Sequence, residues 1–314
     1  MTETATRDRA PETPADLSKR TWIGTFKRTL REFKEDDLTL LAAALTYYGV
    51  LSIFPALLVL LALLGLAGES TIDTLLANLG SLTPGAARDV VTNAVRDLQS
   101  SNQAAGFALI AGLAGALWSA SGYVGAFMKA SNVLYEVEEG RKFWKLKPLQ
   151  IAVTVVIMLL TTLMVLAVVV SGPVAQRVGD VIGAGDAAVT AFNIVKWPVI
   201  ALVVSQIFAF LYWVGPNVKQ PGYKWVSPGG FVAVVLWIAA SGAFALYVAN
   251  FGSYSKTYGS MAAVIIFLIW LWITNLVMLL GAELNAEIER GRQIEAGHDP
   301  DVEPFLPHRE APKA

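Results

Sequence analysis

Long apolar blocks separated by short charged connections set the pattern of this chain. Six blocks are long enough to cross a hydrocarbon layer that takes about 20 helical residues: 38–67, 105–128, 149–172, 197–214, 229–249 and 260–284. The third is the plainest. Leu149 to Gln176 holds no charged side chain and is dense in Val, Leu and Ile, each favourable at a bilayer centre by roughly 0.3 to 0.6 kcal/mol. The fourth is the shortest. The pattern predicts an all-α, polytopic membrane protein of six transmembrane helices, with a membrane domain over 19–292. Polar tails at 1–18 and 293–314 are expected to be disordered, since they carry too little apolar surface to offset ordering entropy.

Two connections carry helical patterns of their own. From Thr21 to Lys34, Trp22, Ile23, Phe26, Leu30 and Phe33 recur at helical spacing, interleaved with Lys27, Arg28, Arg31 and Lys34. This predicts an amphipathic helix, either lying in the membrane interface or packed on the cytoplasmic end of the bundle. In the long connection 69–104, Thr83-Pro84 is an N-cap followed by proline at the first helical position. Ala87, Val90, Val91, Ala94, Val95 and Leu98 then form an apolar face, after a shorter one at Ile72, Leu75, Leu76 and Leu79. Two short amphipathic helices across the outer mouth of the bundle are expected.

Charge sets the orientation. Segments 1–37, 135–147, 215–228 and 285–314 hold 18 of the 24 lysines and arginines, and the alternate connections hold 4. Cationic loops stay in the cytoplasm, so both termini are expected there. The first 37 residues lack a short apolar core with a cleavage site, so no removable leader is expected. Composition agrees, with 55% hydrophobic and 16% charged residues, against about 25% charged in soluble domains. A net charge of −1 gives no global field for nucleic acid.

Polar side chains inside the blocks need a reason, because a membrane helix satisfies its own backbone. The candidates to line a cavity or gate are Tyr47, Tyr48, Ser52 and Pro55 in the first block, and Trp118, Ser121, Lys129 and Asn132 at the second. Trp237 and Tyr247 follow in the fifth, then Tyr258, Asn275 and Glu283 around the sixth. Pro55 removes a ladder hydrogen bond and is expected to kink its helix. Glycines such as Gly112, Gly115, Gly122 and Gly125 are read as close helix contacts. Lys129 is expected to pair with Glu283, or with Asp36 or Asp37, or to hold an anionic headgroup.

Catalytic chemistry finds few parts. There is no cysteine, and the two histidines, His298 and His308, lie in the C-terminal tail. No HExxH motif, phosphate loop or triad histidine near a span is present, so no catalytic, cofactor or metal residues are expected.

The run Asp37-Leu-Thr-Leu-Leu-Ala-Ala-Ala-Leu-Thr-Tyr-Tyr-Gly-Val-Leu-Ser-Ile-Phe-Pro55 resembles the opening span of the YihY/BrkB family of bacterial inner-membrane proteins. Pro228-Gly-Gly before Trp237, Tyr254 with Tyr258-Gly259-Ser260, Trp270 and Leu280-Gly281-Ala282-Glu283-Leu284-Asn285-Ala286 are similar too. The likeness runs over about 22–292. It implies a six-span inner-membrane protein, sometimes associated with virulence and often labelled ribonuclease BN, and for one branch the movement of lipid-type envelope precursors. The combined expectation is a transporter or flippase of an amphiphilic or anionic envelope molecule, with membrane lipids as partners, no nucleic acid, and homo-oligomerisation left open. The alternatives are an envelope scaffold and, further off, a membrane-embedded hydrolase. A faint repeat, Ala120-Ser121-Gly122 against Ala240-Ser241-Gly242, fits inverted halves.

Overall fold

A computed structural model describes residues 11–65, 103–181, 185–250, 261–300 and 302–312. The outer-connection helices and Tyr258 lie outside the described residues. Seven α-helices follow in order among them: α1 Lys19–Glu35, α2 Leu38–Gly65, α3 Gln103–Leu134, α4 Phe143–Val181, α5 Gly185–Val214, α6 Ser227–Asn250 and α7 Met261–Glu295. The only extended pairing among the described residues is an isolated bridge between Val218 and His308. Among the described residues, four stretches are long and apolar enough to cross a membrane: Phe143–Met164, Thr190–Val214, Tyr223–Ala249 and Val264–Glu295. Leu38–Ile53 is a shorter apolar helix.

The chain divides into two compact units. One comprises Met1–Gly49, Tyr123–Leu146 and Val204–Ala314, and the other Val50–Gly122 and Lys147–Val203. In the first, α6 and α7 cross where neither helix carries a side chain. A Cβ on Gly229 would fall 2.2 Å from the Gly281 carbonyl oxygen, and one on Gly281 would fall 2.7 Å from the Ala233 Cβ. Close backbone approach of this kind is how membrane helices associate. The structure places it at Gly229 and Gly281, whereas a Cβ on Gly112 or Gly115 meets nothing within 4 Å. Asn285 of α7 also caps α6: its Oδ1 accepts from the Gly229 N–H at 2.8 Å, and its Nδ2 donates to the Val226 carbonyl at 2.9 Å. One of the amide donors that any helix start leaves unpaired is satisfied from the neighbouring helix.

Helix α1 packs in a way that hydrophobic spacing alone does not predict. Ser18 opens it by accepting the Thr21 N–H at 3.2 Å, and Thr25, Thr29 and Glu32 form the buried face. That face meets α7: Thr25 Oγ1 donates to the Glu287 carbonyl at 3.3 Å, and Thr21 Oγ1 to Glu295 Oε2 at 2.7 Å. Ile23, Phe26 and Leu30 are exposed. The helix docks through hydroxyls, charge and the half-buried Trp22, which packs against Leu17, Trp225 and Ile288, and leaves Ile23, Phe26 and Leu30 outward.

Two short segments within the expected tails make defined contacts. A 3-10 turn at Pro14–Asp16 leads to Leu17, which is buried with Trp225 and Ile288. Residues 302–312 run back across the turns that follow α3 and α5. Lys219 donates its N–H to the Pro307 carbonyl and Arg309 donates its own to the Asn217 carbonyl, both at 2.9 Å. Lys145 pairs with Glu310 at 2.8 Å, and Phe305 stacks on Tyr135. The ordering comes from backbone hydrogen bonding and ion pairs, so a count of apolar residues misses it.

In the second unit, Val59, Ala116, Ala120 and Met158 form a small apolar cluster. Helix α2 runs through Pro55 as one continuous element.

Candidate functional site

The first polar assembly joins three helices of the first unit. Tyr123 Oη donates to Asn275 Oδ1 at 2.7 Å, Asn275 Nδ2 donates to Thr46 Oγ1 at 3.1 Å, and Thr46 Oγ1 donates to the Ala42 carbonyl at 2.7 Å. Asn275 is fully buried. Each of these donors finds an acceptor within the protein, so the relay binds α2, α3 and α7 together. Nearby on α6 and α7, Trp237 Nε1 donates to Thr274 Oγ1 at 3.1 Å and Trp270 Nε1 to Ser241 Oγ at 3.3 Å, with the two indoles edge to face.

A second assembly knots the turns. Asn132 accepts the Asn217 N–H at 2.7 Å and donates to Glu139 at 3.0 Å, which also receives the Arg141 guanidinium at 2.7 Å. The Asn217 side chain donates to the Glu138 and Glu310 carbonyls at 3.0 and 2.8 Å and accepts the Glu310 N–H at 3.2 Å. Arg141, by hydrogen bonding and its charge, holds the Glu139 carboxyl below the usual range despite the opposing effect of burial.

A third assembly is rich in charge. Arg28 and Glu32 of α1, Glu136 after α3, Glu287 and Arg290 of α7, and Glu303 of the C-terminal segment form linked ion pairs. Asp36, at the end of α1, and Glu283 share the field of these carboxylates. Glu136 is held in the left-handed region, at φ 53°. This makes the α3 terminus a Schellman turn, with Val137 N–H on the Asn132 carbonyl at 2.9 Å.

The second unit holds a smaller constellation. Lys147 of α4 donates its ammonium to Ser121 Oγ at 2.6 Å and to the Trp118 carbonyl at 3.1 Å, and lies 4.5 Å over the Trp118 ring. Ser121 is buried, and 52% of Trp118 is exposed. No carboxylate pairs with Lys147 among the described residues.

The residues singled out from the sequence therefore separate. Asn132, Asn275 and Ser121 are buried in hydrogen-bonded networks, and Ser52 is buried on α2. Tyr47, Tyr48, Trp118 and Tyr247 face outward, the first two edge to face with each other and Tyr247 stacked on Phe244. Lys129 is exposed and makes no ion pair with Glu283, Asp36 or Asp37. Glu283 is buried inside the acidic group, with an exposure of 1%, whereas Lys129 is exposed. Sequence reading passed over Lys147, Asn217, Arg141 and Arg290. The charged face was readable from spacing: Arg28, Glu32 and Asp36 recur every fourth residue, and Glu283, Glu287 and Arg290 lie on one helical stripe.

Apolar helices that turn side chains such as Leu163, Leu202, Phe231 and Leu246 outward, around interiors held by polar contacts, define an α-helical membrane protein. Its kinship agrees. The chain belongs to the virulence factor BrkB family, whose profile matches residues 29–304. It is similar to the ribonuclease-like protein YfkH of Bacillus subtilis, with 32% identity over 84% of this chain and 93% of that protein. It is similar also to UPF0761 membrane proteins of Alkalilimnicola ehrlichii, 31% identical over 81% of this chain and 55% of the relative, and of Chromohalobacter salexigens, 29% identical over 89% and 67%. No solved structure matches the chain.

Proposed function

We propose that this chain is a six-span protein of the bacterial inner membrane, with both termini in the cytoplasm, that moves an amphiphilic, anionic envelope molecule across the bilayer. The observation that carries this reading is Lys147. Its ammonium stands half-buried at the cytoplasmic start of α4, rests on Ser121 and the Trp118 ring, and has no carboxylate partner among the described residues. A half-buried ammonium with no carboxylate partner is suited to a charge-assisted contact with an anion. A phosphate or carboxylate headgroup supplies that anion, while the exposed face of Trp118 suits the apolar part of the same molecule. On this reading the outward Ile23, Phe26 and Leu30 of α1 lie in the lipid interface, with Lys19 and Lys27 near anionic headgroups.

Reconstitution into vesicles tests this. Fluorescent phosphatidylglycerol is expected to cross faster than in protein-free vesicles, and Lys147→Gln is expected to slow it. Loss of a charge-assisted contact of about 1.5–3 kcal/mol corresponds to roughly a ten- to hundredfold drop, with unchanged thermal stability. Equal rates in wild type and variant contradict the reading.

A second reading, an envelope scaffold, is favoured by the internal relay of Thr46, Asn275 and Tyr123, in which the polar groups bond to one another across three helices. It expects every substitution that lowers activity to lower stability in step. The name of the Bacillus relative raises a nuclease. That reading would need chemistry that the sequence, without cysteine and with histidine only at His298 and His308, does not offer in a recognised arrangement.

A further inference from the structure

The carboxylates around the end of α7 outnumber the cations that face them. Glu283 is the innermost. Its relative exposure is 1%, and its Oε2 has no hydrogen-bond partner among the described residues. The groups facing it from the packed elements are Glu32 and Asp36 of α1, Glu136 and Tyr135 of the turn after α3, and Glu287 of α7 itself. The cations are Arg28, committed to Glu287, Arg31 at the rim on Glu32 at 2.7 Å, and Arg290. The last divides itself between Glu136 at 3.2 Å, Glu287 at 3.5 Å, Glu303 at 2.9 Å and Glu32 at 3.9 Å. With Glu35, which also faces Arg31 and Asp36, seven carboxylates thus face three guanidinium groups, and Glu283 pairs with none of them.

A carboxylate taken out of water without a donor or counter-ion costs several kcal/mol, and neighbouring like charges add to that cost. The group has two ways to relieve the excess, a bound cation or bound protons. A bound proton needs only one carboxylate oxygen, whereas among the described residues no three acidic or histidine side chains are grouped to hold a metal ion.

We propose that this cluster, centred on Glu283, is a proton-binding site, and that proton exchange there drives movement of the anionic substrate. The step balances simply: one carboxylate takes up one proton from the cytoplasm to form an O–H bond, and releases it in the reverse step. The second half of the proposal rests on the transport reading given above; the first half does not. Two members outside the spans agree with the geometry. Burial and the neighbouring Glu32 and Glu35 raise Asp36 to about 7, and burial raises Glu136 to about 7 against the pull of Arg290.

The site is mechanically placed. The same residues join α1, α7 and the C-terminal segment, through Arg28 on Glu287 and Arg290 on Glu303. Loss of protons adds repulsion at that junction, and uptake tightens it.

Infrared spectroscopy of the full chain in zwitterionic nanodiscs reads the protons directly. Wild type is expected to show a protonated-carboxyl band at about pH 7 that fades towards about pH 9. Glu283→Gln is expected to remove about one carboxyl's share of it, and Asp36→Asn, at the rim, a further share. Absence of the band at neutral pH overturns the site, and an undiminished band in Glu283→Gln overturns the role of Glu283. Should that variant fail to fold, the wild-type titration and Asp36→Asn still decide.

Vesicles carrying a pH gradient then test the coupling. A gradient is expected to change wild-type phosphatidylglycerol movement severalfold. A band without any gradient effect keeps the proton site and overturns the coupling. A band with no lipid movement under any condition keeps the site and sinks the transport reading, and the coupling with it.

Discussion

Asp36 shows how far one side chain departs from its solution behaviour. It is half-buried at the end of α1, and its carboxyl is raised from 3.8 to about 7, chiefly by burial and then by Glu32 and Glu35. The folded protein therefore holds this proton more tightly than the unfolded chain does. Stability from the group is complete below about pH 4, declines as pH rises, and is lost once pH passes about 7. Thermal midpoints measured from about pH 4.5 to about pH 8 should fall for wild type and fall less for Asp36→Asn. Equal slopes would contradict the assignment. Asn217 makes a second prediction at this scale. Its side chain is buried and holds Glu138 and both backbone groups of Glu310, so Asn217→Ala should cost roughly 2–4 kcal/mol. Limited proteolysis would then cut the C-terminal segment faster than in wild type. A resistant segment would show that Asn217 does not hold it.

Between elements, the decisive contact is the crossing of α6 and α7. A Cβ on Gly281 would lie 2.7 Å from Ala233 Cβ, from the Gly229 carbonyl oxygen and from Tyr212 Oη. The helices must part or the backbone must shift, which costs about 1–3 kcal/mol. Gly242 lies on α6 with nothing within 4 Å of an added Cβ, so Gly242→Ala is the control. Unfolding in detergent should find Gly281→Ala less stable and Gly242→Ala unchanged. Matching midpoints would mean that the crossing is looser than its geometry. This contact was half legible. Small residues in a membrane chain announce close approach, but only partner geometry tells Gly281 from Gly112. The face of α1 was legible in its charges and misleading in its apolar residues. A helix does lie over these residues, yet Thr25, Thr29 and Glu32 form its buried face, because α7 offers carbonyls and carboxylates there.

At the scale of the whole molecule, long apolar blocks are a strong signal, since little else in a protein calls for uncharged runs such as Leu149 to Gln176. The helical, membrane-embedded character was therefore readable from the outset. The polar sites were less so, because Asn275 and Asn132 look alike in sequence while one joins helices in the bundle and the other ties turns. The C-terminal segment was unreadable by composition, as its order depends on backbone groups at Asn217 and Val218. The proposed topology threads the chain repeatedly through a bilayer and leaves its lysine- and arginine-rich connections in the cytoplasm. The natural chain has no cysteine, so single cysteines report cleanly. In intact cells a membrane-impermeant maleimide should label Val95→Cys, and should reach Lys142→Cys only after the membrane is opened. Labelling of both positions from the same side would contradict the account.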